Sequence, residues 1–389
     1  MSVAKPRVSV SGLGWIRKNL FDGWFNSVLT LVSALILFFI AKGILGWTLF
    51  TAKWDVIAAN LRILMVGQYT ASEIWRVWVT LALMALLLGI SWGIRKGLIT
   101  QIAVCFMIIF AIVGVMPFLT ATSRLWLFGA IVLMLIGYWI GHKFHFAKKI
   151  HMFGWLLFFP LVLMMLSGAG VLKNVSSTLW GGFLLTVLIA GVTIVFSFPL
   201  GILLSLGRRS KLVLVRWFSI AYIEIIRGVP LVTVLFMAQL LLPLFMGNGI
   251  ELSNVLRAMI GFTLFNAAYV AETIRGGMQA VPRGQYEAAE ALGLNYVQKM
   301  TFIVMPQALR SVIPALVGIV IEVFKDTSLV AIVSLMDLMG IAKRIIANPE
   351  FLGRQMEVFV FVAVVFLIFC LLMSKVSRGL EASLDRRKN

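Results

Sequence analysis

Charged residues are scarce in this sequence: Asp, Glu, Lys and Arg make up 13%, where a soluble domain carries about 25%. Such a chain cannot clothe a water-facing surface. With 61% hydrophobic residues and a mean hydropathy of +1.03, the class that fits is an all-α polytopic membrane protein. Cysteine is nearly absent. Cys105 and Cys370 lie inside apolar runs, so neither a disulfide framework nor a thiolate metal site is expected. The three histidines, His142, His145 and His151, flank a basic loop with Lys148 and Lys149. A solvated loop is the simpler reading than a metal centre or a membrane-enzyme site. No Gly-Lys dipeptide occurs, which excludes a P-loop and places any ATP hydrolysis elsewhere. No two halves resemble one another, which argues against a self-sufficient secondary transporter or channel. Acid is rarer than base, 15 residues against 34, for a net charge of +19. In a soluble protein that excess would suggest nucleic acid. Here no basic motif with stacked aromatics supports it, and Lys and Arg collect in cytoplasmic loops of membrane proteins.

What is abundant is the long apolar run. Runs fall at roughly 27–47, 77–94, 98–121, 124–141, 153–172, 181–206, 217–246, 254–274, 311–335 and 357–376, suggesting about ten crossings. The N-terminus carries Lys5, Arg7, Arg17 and Lys18 ahead of the first run, with no small-residue cleavage site; a retained first span is expected. With that basic end inside, Arg95, Lys96, Arg208, Arg209, the loop from Arg275 to Arg310 and the tail Arg386-Arg387-Lys388 all fall inside. Both termini are then cytoplasmic. Lys343, Arg344 and Arg354 fall outside, which suggests a re-entrant or interfacial helix there. The stretch 48–76 reads as an external connection with some amphipathic helix. The chain divides near residue 173: 1–173 is an N-terminal extension of about five spans without a readable motif, expected to be scaffold, and 174–389 holds every motif.

The most informative stretch is polar. Gln285 to Leu292 is rich in strong helix formers, Gly293 sits where a left-handed residue would end that helix, and Asn295 with Gln298 reads as a capping box opening a second. Pro306 is expected to limit how far this second helix continues. A structured, charged hairpin between apolar spans suggests a handle for a soluble partner.

Ionisable residues within or beside spans carry a functional hypothesis by default. Glu224 and Arg227 stand three residues apart before Gly228-Val229-Pro230, and Glu272 and Arg275 repeat that spacing after Asn266 and Tyr269. Each pair can neutralise itself along one helix face, or serve in gating or substrate passage. Lys325, Asp326, Thr327 and Ser328 could form a polar break near a translocation path. Glu322 lies mid-span, where a carboxylate costs roughly 3 kcal/mol on insertion scales, so a lipid-facing position is excluded. It either pairs with Lys325 or a basic residue of a partner, or faces a wet cavity, with Gly318 one turn earlier leaving room for a ligand.

The hairpin pattern is Glu287-Ala288-Ala289, three residues, Gly293, nine residues, Ile303, one residue, Met305 and Pro306. It resembles the cytoplasmic loop of ABC importer permeases, with Met305 where Leu is usual. Glu224-x-x-Arg227-Gly228-Val229-Pro230-Leu231 sharpens the resemblance, as does Tyr269-Val270-Ala271-Glu272-x-x-Arg275-Gly276-Gly277, which runs on through Gln279-Ala280-Val281-Pro282-x-Gly284-Gln285. Pro306-Gln307-Ala308-Leu309 and Phe324-Lys325-Asp326-Thr327-Ser328-Leu329 complete the set. Together they are similar to the polar amino-acid branch of type I ABC importers, the histidine, glutamine and general L-amino-acid permeases. With the long extension, the likeness is to the M-subunit branch of the last. Two positions depart from the pattern: Gly318, where the family usually has Asn, and Glu322, where a small or neutral residue is usual.

The resemblance implies a five-helix permease core in a bacterial inner membrane and no catalytic site of its own. It implies a related permease subunit, two copies of a cytoplasmic ATPase using ATP and Mg, and a periplasmic binding protein that delivers a polar L-amino acid. No cofactor is expected on this chain.

Overall fold

In the computed structural model, the residues described are Ile16, 19–95, 97–117, 119–168, 170–246 and 252–385. The chain forms two compact units, 1–55 and 56–389. The first holds α1 (Trp24–Gly46), which widens into a π-helical turn at Trp47–Thr51 and buries none of its residues within the chain. Together they form a 28-residue apolar helix, long enough to cross a bilayer.

The second unit opens with α2 (Asp55–Val66), the short amphipathic helix expected in the external connection. It continues with α3 (Trp75–Ile94), α4 (Leu98–Val115), α5 (Ala121–Lys143) and α6 (His145–Ser167). The motif-bearing part follows as α7 (Gly182–Arg208), α8 (Val213–Arg227), α9 (Leu231–Phe245), α10 (Asn254–Ala280) and α11 (Arg283–Ala291). It ends with α12 (Met305–Asp326), α13 (Leu338–Ile346) and α14 (Gln355–Asp385). Among the described residues β-structure is limited to two isolated bridges, Gly67 to Trp180 and Gly182 to Asp337.

The apolar runs fall mainly on helix, and the 311–335 run ends in a 3₁₀ segment. The 217–246 run breaks into α8 and α9, bent by 112°. Pro230 stands extended between them at φ −61 and ψ 143, lacks the N–H that would close the ladder, and forces the preceding residue out of helical geometry. By length and composition alone five helices can cross, a sixth if the bent pair counts as one. α10 is long but carries Arg257, Asn266, Glu272 and Arg275, and α12 carries Arg310, Glu322 and Lys325. Their polar residues lower the mean hydropathy of these two helices below that of the candidate spans. α13, bearing Lys343 and Arg344, has Leu338, Ile341, Ala342 and Ile345 buried along one side, an amphipathic helix.

The compact units part at Asp55, and the later extension helices share a core with the motif-bearing part. Tyr69, Phe158, Val162 and Leu166 pack in one cluster with Leu185, Ile189, Leu235 and Phe262. Arg76 is 1% exposed; it pairs with Glu73 at 2.7 Å and donates to the Lys173 carbonyl at 2.9 Å, while the Tyr69 hydroxyl donates to the Leu166 carbonyl at 2.9 Å. These bonds tie α3 to the C-terminal end of α6.

α3 and α5 approach more closely than any side chain would allow. A Cβ on Gly89 would lie 2.1 Å from the Met134 carbonyl oxygen, and one on Gly137 2.4 Å from that of Leu86. Gly93 and Gly141 repeat the relation one turn on, a small-x-x-x-small seam on each helix. Gly137→Val is therefore expected to cost about 2 kcal/mol, seen as a lower thermal midpoint of the detergent-solubilised protein. Gly129→Ala, whose Cβ meets nothing within 4 Å, should leave the midpoint unchanged.

Candidate functional site

The polar hairpin is built from local interactions. α11 ends in a Schellman motif: Gly293 adopts φ +72, its N–H donates to the Glu290 carbonyl at 2.9 Å, and the Leu294 N–H donates to the Ala289 carbonyl at 3.1 Å. Asn295 and Gln298 form the capping box with bonds of 2.9 and 3.0 Å. Lys299 ion-pairs back to Glu290 across the turn and holds that carboxyl below its ordinary range. Within the Glu-Ala-Ala triplet, Ala289 is buried while Glu287 and Ala288 face outward. Leu292, Val297 and Phe302 are 77%, 69% and 68% exposed, an apolar rim on a charged hairpin. Ile303 is half-buried, and the exposed Pro306 lines a cavity of about 420 Å³ with Ile202, Leu206, Met300 and Met305.

Pro306 does not end the second helix. Regular α geometry lasts only Tyr296–Gln298, widens into a π turn over Lys299–Val304, and resumes at Met305 with Pro306 in its first turn. A proline cannot close an i→i−4 bond, and the first turn of a helix, where those N–H groups are unpaired anyway, tolerates it.

Beside the hairpin, α7, α8 and α10 meet in an ion network. Arg275 clasps Glu272 with both arms of its guanidinium, at 2.8 and 2.6 Å. The same carboxylate takes Arg208 at 3.3 Å and faces Arg227 at 3.8 Å; Arg208 also reaches Glu224 at 2.9 Å. The expected Glu272–Arg275 pair is thus present. Glu224 and Arg227 instead reach across to neighbouring helices, because the end of α7 inserts Arg208 between them and α10 presents Glu272. The Arg227 guanidinium lies over the Tyr269 ring at 5.8 Å. Asn266 is buried and donates to the Phe262 carbonyl one turn back at 2.9 Å, so its amide serves its own helix. Arg209 joins network to hairpin by donating to the Tyr286 hydroxyl at 3.0 Å, which in turn donates to the Met278 carbonyl at 2.8 Å. Sequence reading took Arg208 and Arg209 only as orientation signals; their partners lie 64 and 77 residues away.

On α12, Gly318 has nothing within 4 Å of where a Cβ would sit, and Glu322 one turn on is exposed. Glu322 and Lys325 are both exposed and form no ion pair among the described residues, so the expected intrahelical pair is not made. Asp326 and Ser328 are half-buried, and Thr327 is buried with its hydroxyl on the Phe324 carbonyl at 2.8 Å. The helix tightens there into a 3₁₀ segment, Thr327–Val333, that stops at Ser334 with φ +63. That is the irregular backbone anticipated for the Lys-Asp-Thr-Ser stretch.

Residues 197–388 match the family of binding-protein-dependent transport system inner membrane components. The inner membrane amino-acid ABC transporter permease protein YhdY of Escherichia coli K12 is 36% identical over 386 residues, covering 94% of this chain and 91% of its own. The chain belongs to the amino-acid ABC transporter permeases. The glutamate/glutamine/aspartate/asparagine transport system permease protein BztC of Rhodobacter capsulatus is 36% identical, covering 98% of this chain and 95% of its own. The glutamate/aspartate import permease protein GltK of Escherichia coli O6:H1 is 37% identical but covers only 49% of this chain against 86% of its own. Relatives therefore come both with and without a counterpart of the extension. This permease is a multi-pass inner-membrane subunit that works with a partner permease, a separate ATPase and a binding protein; it is not itself an enzyme.

Glu272 holds three guanidinium groups, whereas Glu224, at 54% exposure, holds one. Glu272→Gln is expected to cost about 2 kcal/mol of stability by leaving those cations uncompensated. Glu224→Gln should cost under about 1 kcal/mol. Thermal midpoints of the two purified variants test that order.

Proposed function

We propose that this chain is one of two related, non-identical permease subunits of an ATP-driven importer of polar L-amino acids. In this reading the hairpin of Glu287, Ala288, Ala289 and Gly293 seats in a groove of a cytoplasmic ATPase, two copies of which serve the complex. ATP and Mg belong to that ATPase, and this chain binds no cofactor. A periplasmic amino-acid-binding protein delivers the substrate, both termini are cytoplasmic, and residues 1–173 act as scaffold rather than transport machinery. The observation that carries the reading is the hairpin itself: a turn pinned by Gly293 at φ +72, with Leu292, Val297 and Phe302 left exposed at a polar tip. An apolar rim on a charged helix pair fits a protein groove. Gly293→Val puts a β-branched residue at positive φ, a strain of about 1–3 kcal/mol. It is expected to reduce ATPase co-purification or to uncouple ATP hydrolysis from uptake while membrane insertion continues. Coupled uptake at the wild-type rate would refute this seat.

The path candidates follow α12. Glu322 is exposed and makes no ion pair among the described residues, and Gly318 leaves open space beside it. We assign Glu322 to the wet face, where its carboxylate attracts the ammonium group of a passing amino acid. Lys325, Asp326 and Ser328 continue that polar strip. Glu322→Gln in the reconstituted complex should change the ranking of acidic, neutral and basic amino acids in uptake, with basic substrates losing most. An equal loss for all three with weaker assembly would instead place Glu322 against a basic residue of the second subunit.

A further inference from the structure

A second cavity, of about 340 Å³, opens between the extension and the permease core. Its walls are Ile102, Cys105 and Phe106 of α4, Val317 and Val320 of α12, and Phe369 of α14 among other apolar groups. α4 packs on α14, and the gap lies where α4 stands off from α12. One end is closed by aromatic rings: Phe106 lies 6.4 Å from Phe369, which packs on Phe183 at 4.9 Å and on Phe324 at 5.6 Å. The other end carries the two polar residues of the lining, Gln101 and Lys375. α4 runs from Gln101 to Phe106 and α14 from Phe369 to Lys375, so the two polar groups share one mouth. Lys375 is about 9 Å along the helix from Phe369, and about 30 Å from the start of α14 at Gln355, the thickness of a hydrocarbon core. The mouth thus sits at a bilayer interface and the aromatic floor within the hydrocarbon.

We propose that this groove binds one anionic phospholipid, with its headgroup at Lys375 and Gln101 and an acyl chain laid against the Phe106–Phe369 floor. A purely apolar occupant leaves Lys375 without a counter-charge, since it ion-pairs with no acid among the described residues. Arg378 follows one turn on, adding positive charge at the same interface. Apolar clefts with a basic mouth between membrane helices recognise anionic headgroups. The lipid would act as a wedge joining the extension to α12, the helix that bears Glu322. The proposal rests on membrane insertion alone, not on which way the chain is oriented or what it carries.

The test is native mass spectrometry of the full chain, in the complex with which it purifies, after exchange into detergent with phosphatidylglycerol or phosphatidylcholine of matched chains. Wild type is expected to retain one phosphatidylglycerol per copy of this chain and to lose phosphatidylcholine. Lys375→Ala should lower phosphatidylglycerol occupancy at least fivefold, with Lys375→Arg restoring it. Cys105→Trp, which fills the cavity without changing charge, should abolish retention while the complex elutes as wild type. Equal retention of the two lipids, or occupancy unchanged in both Lys375→Ala and Cys105→Trp, is the behaviour of loosely held boundary lipid and overturns the assignment.

Discussion

A carboxylate near a membrane must find positive charge, and Glu272 finds it on three elements at once. Its oxygens meet Arg275 of its own helix, Arg208 at the end of α7 and Arg227 at the end of α8. Uncompensated, any of these groups would be costly in so apolar a chain. Satisfying them fixes where the ends of three helices stand relative to one another. The hairpin is built onto that frame: α11 follows α10 directly after Pro282, and Arg209, next to Arg208, reaches the Tyr286 hydroxyl. Tyr286 in turn bonds the Met278 carbonyl on α10. The hairpin is thereby joined to the ends of α7 and α10 by polar bonds as well as by side-chain packing.

Three backbone irregularities interrupt or flank the apolar helices of the motif-bearing part. Pro230 breaks α8 from α9, the π turn over Lys299–Val304 precedes Pro306, and the 3₁₀ segment after Asp326 ends at Ser334. Non-helical backbone is tolerated at membrane depth only where protein or water satisfies its polar groups. α12 therefore begins and ends in irregular turns, one leading in from the hairpin and the other following Lys325 and Asp326. α12 thus runs from the hairpin at one end to Glu322 and Asp326 toward the other.

The parts legible in the sequence were those whose physics is local. The Schellman turn and capping box close within Ala289 to Gln298, so ten residues held all the information. The amphipathic patterns of 55–66 and 338–346 likewise carry their own faces. The Glu272–Arg275 pair was readable from helix spacing alone. Glu224 was not, because its partner Arg208 lies 16 residues back on another helix, and the same spacing rule pointed to Arg227. Hydropathy hid the break at Pro230, since both halves of that run are apolar. The glycine seam of α3 and α5 was present as Gly89-x-x-x-Gly93 and Gly137-x-x-x-Gly141, yet pairing the two motifs required the tertiary fold.

The extension is fastened to the permease core in a specific physical way. Without a hydrophobic drive between helices in lipid, association depends on close packing and polar bonds, and the extension uses both. Its α3 and α5 pack at backbone distance through glycine, and Phe159 of α6 fits over Gly191 of α7, where a Cβ would lie 2.3 Å from the ring. Arg76 and Tyr69 close the end of α6 on backbone carbonyls, an arrangement an apolar solvent strengthens. These contacts hold the extension on α7, whose far end carries Arg208. By contrast, where α4 faces α12 no such fit exists and a cavity remains. The extension is therefore joined to α7 by direct protein contacts, while across the gap its coupling to α12, the helix that carries Glu322, depends on what fills that cavity.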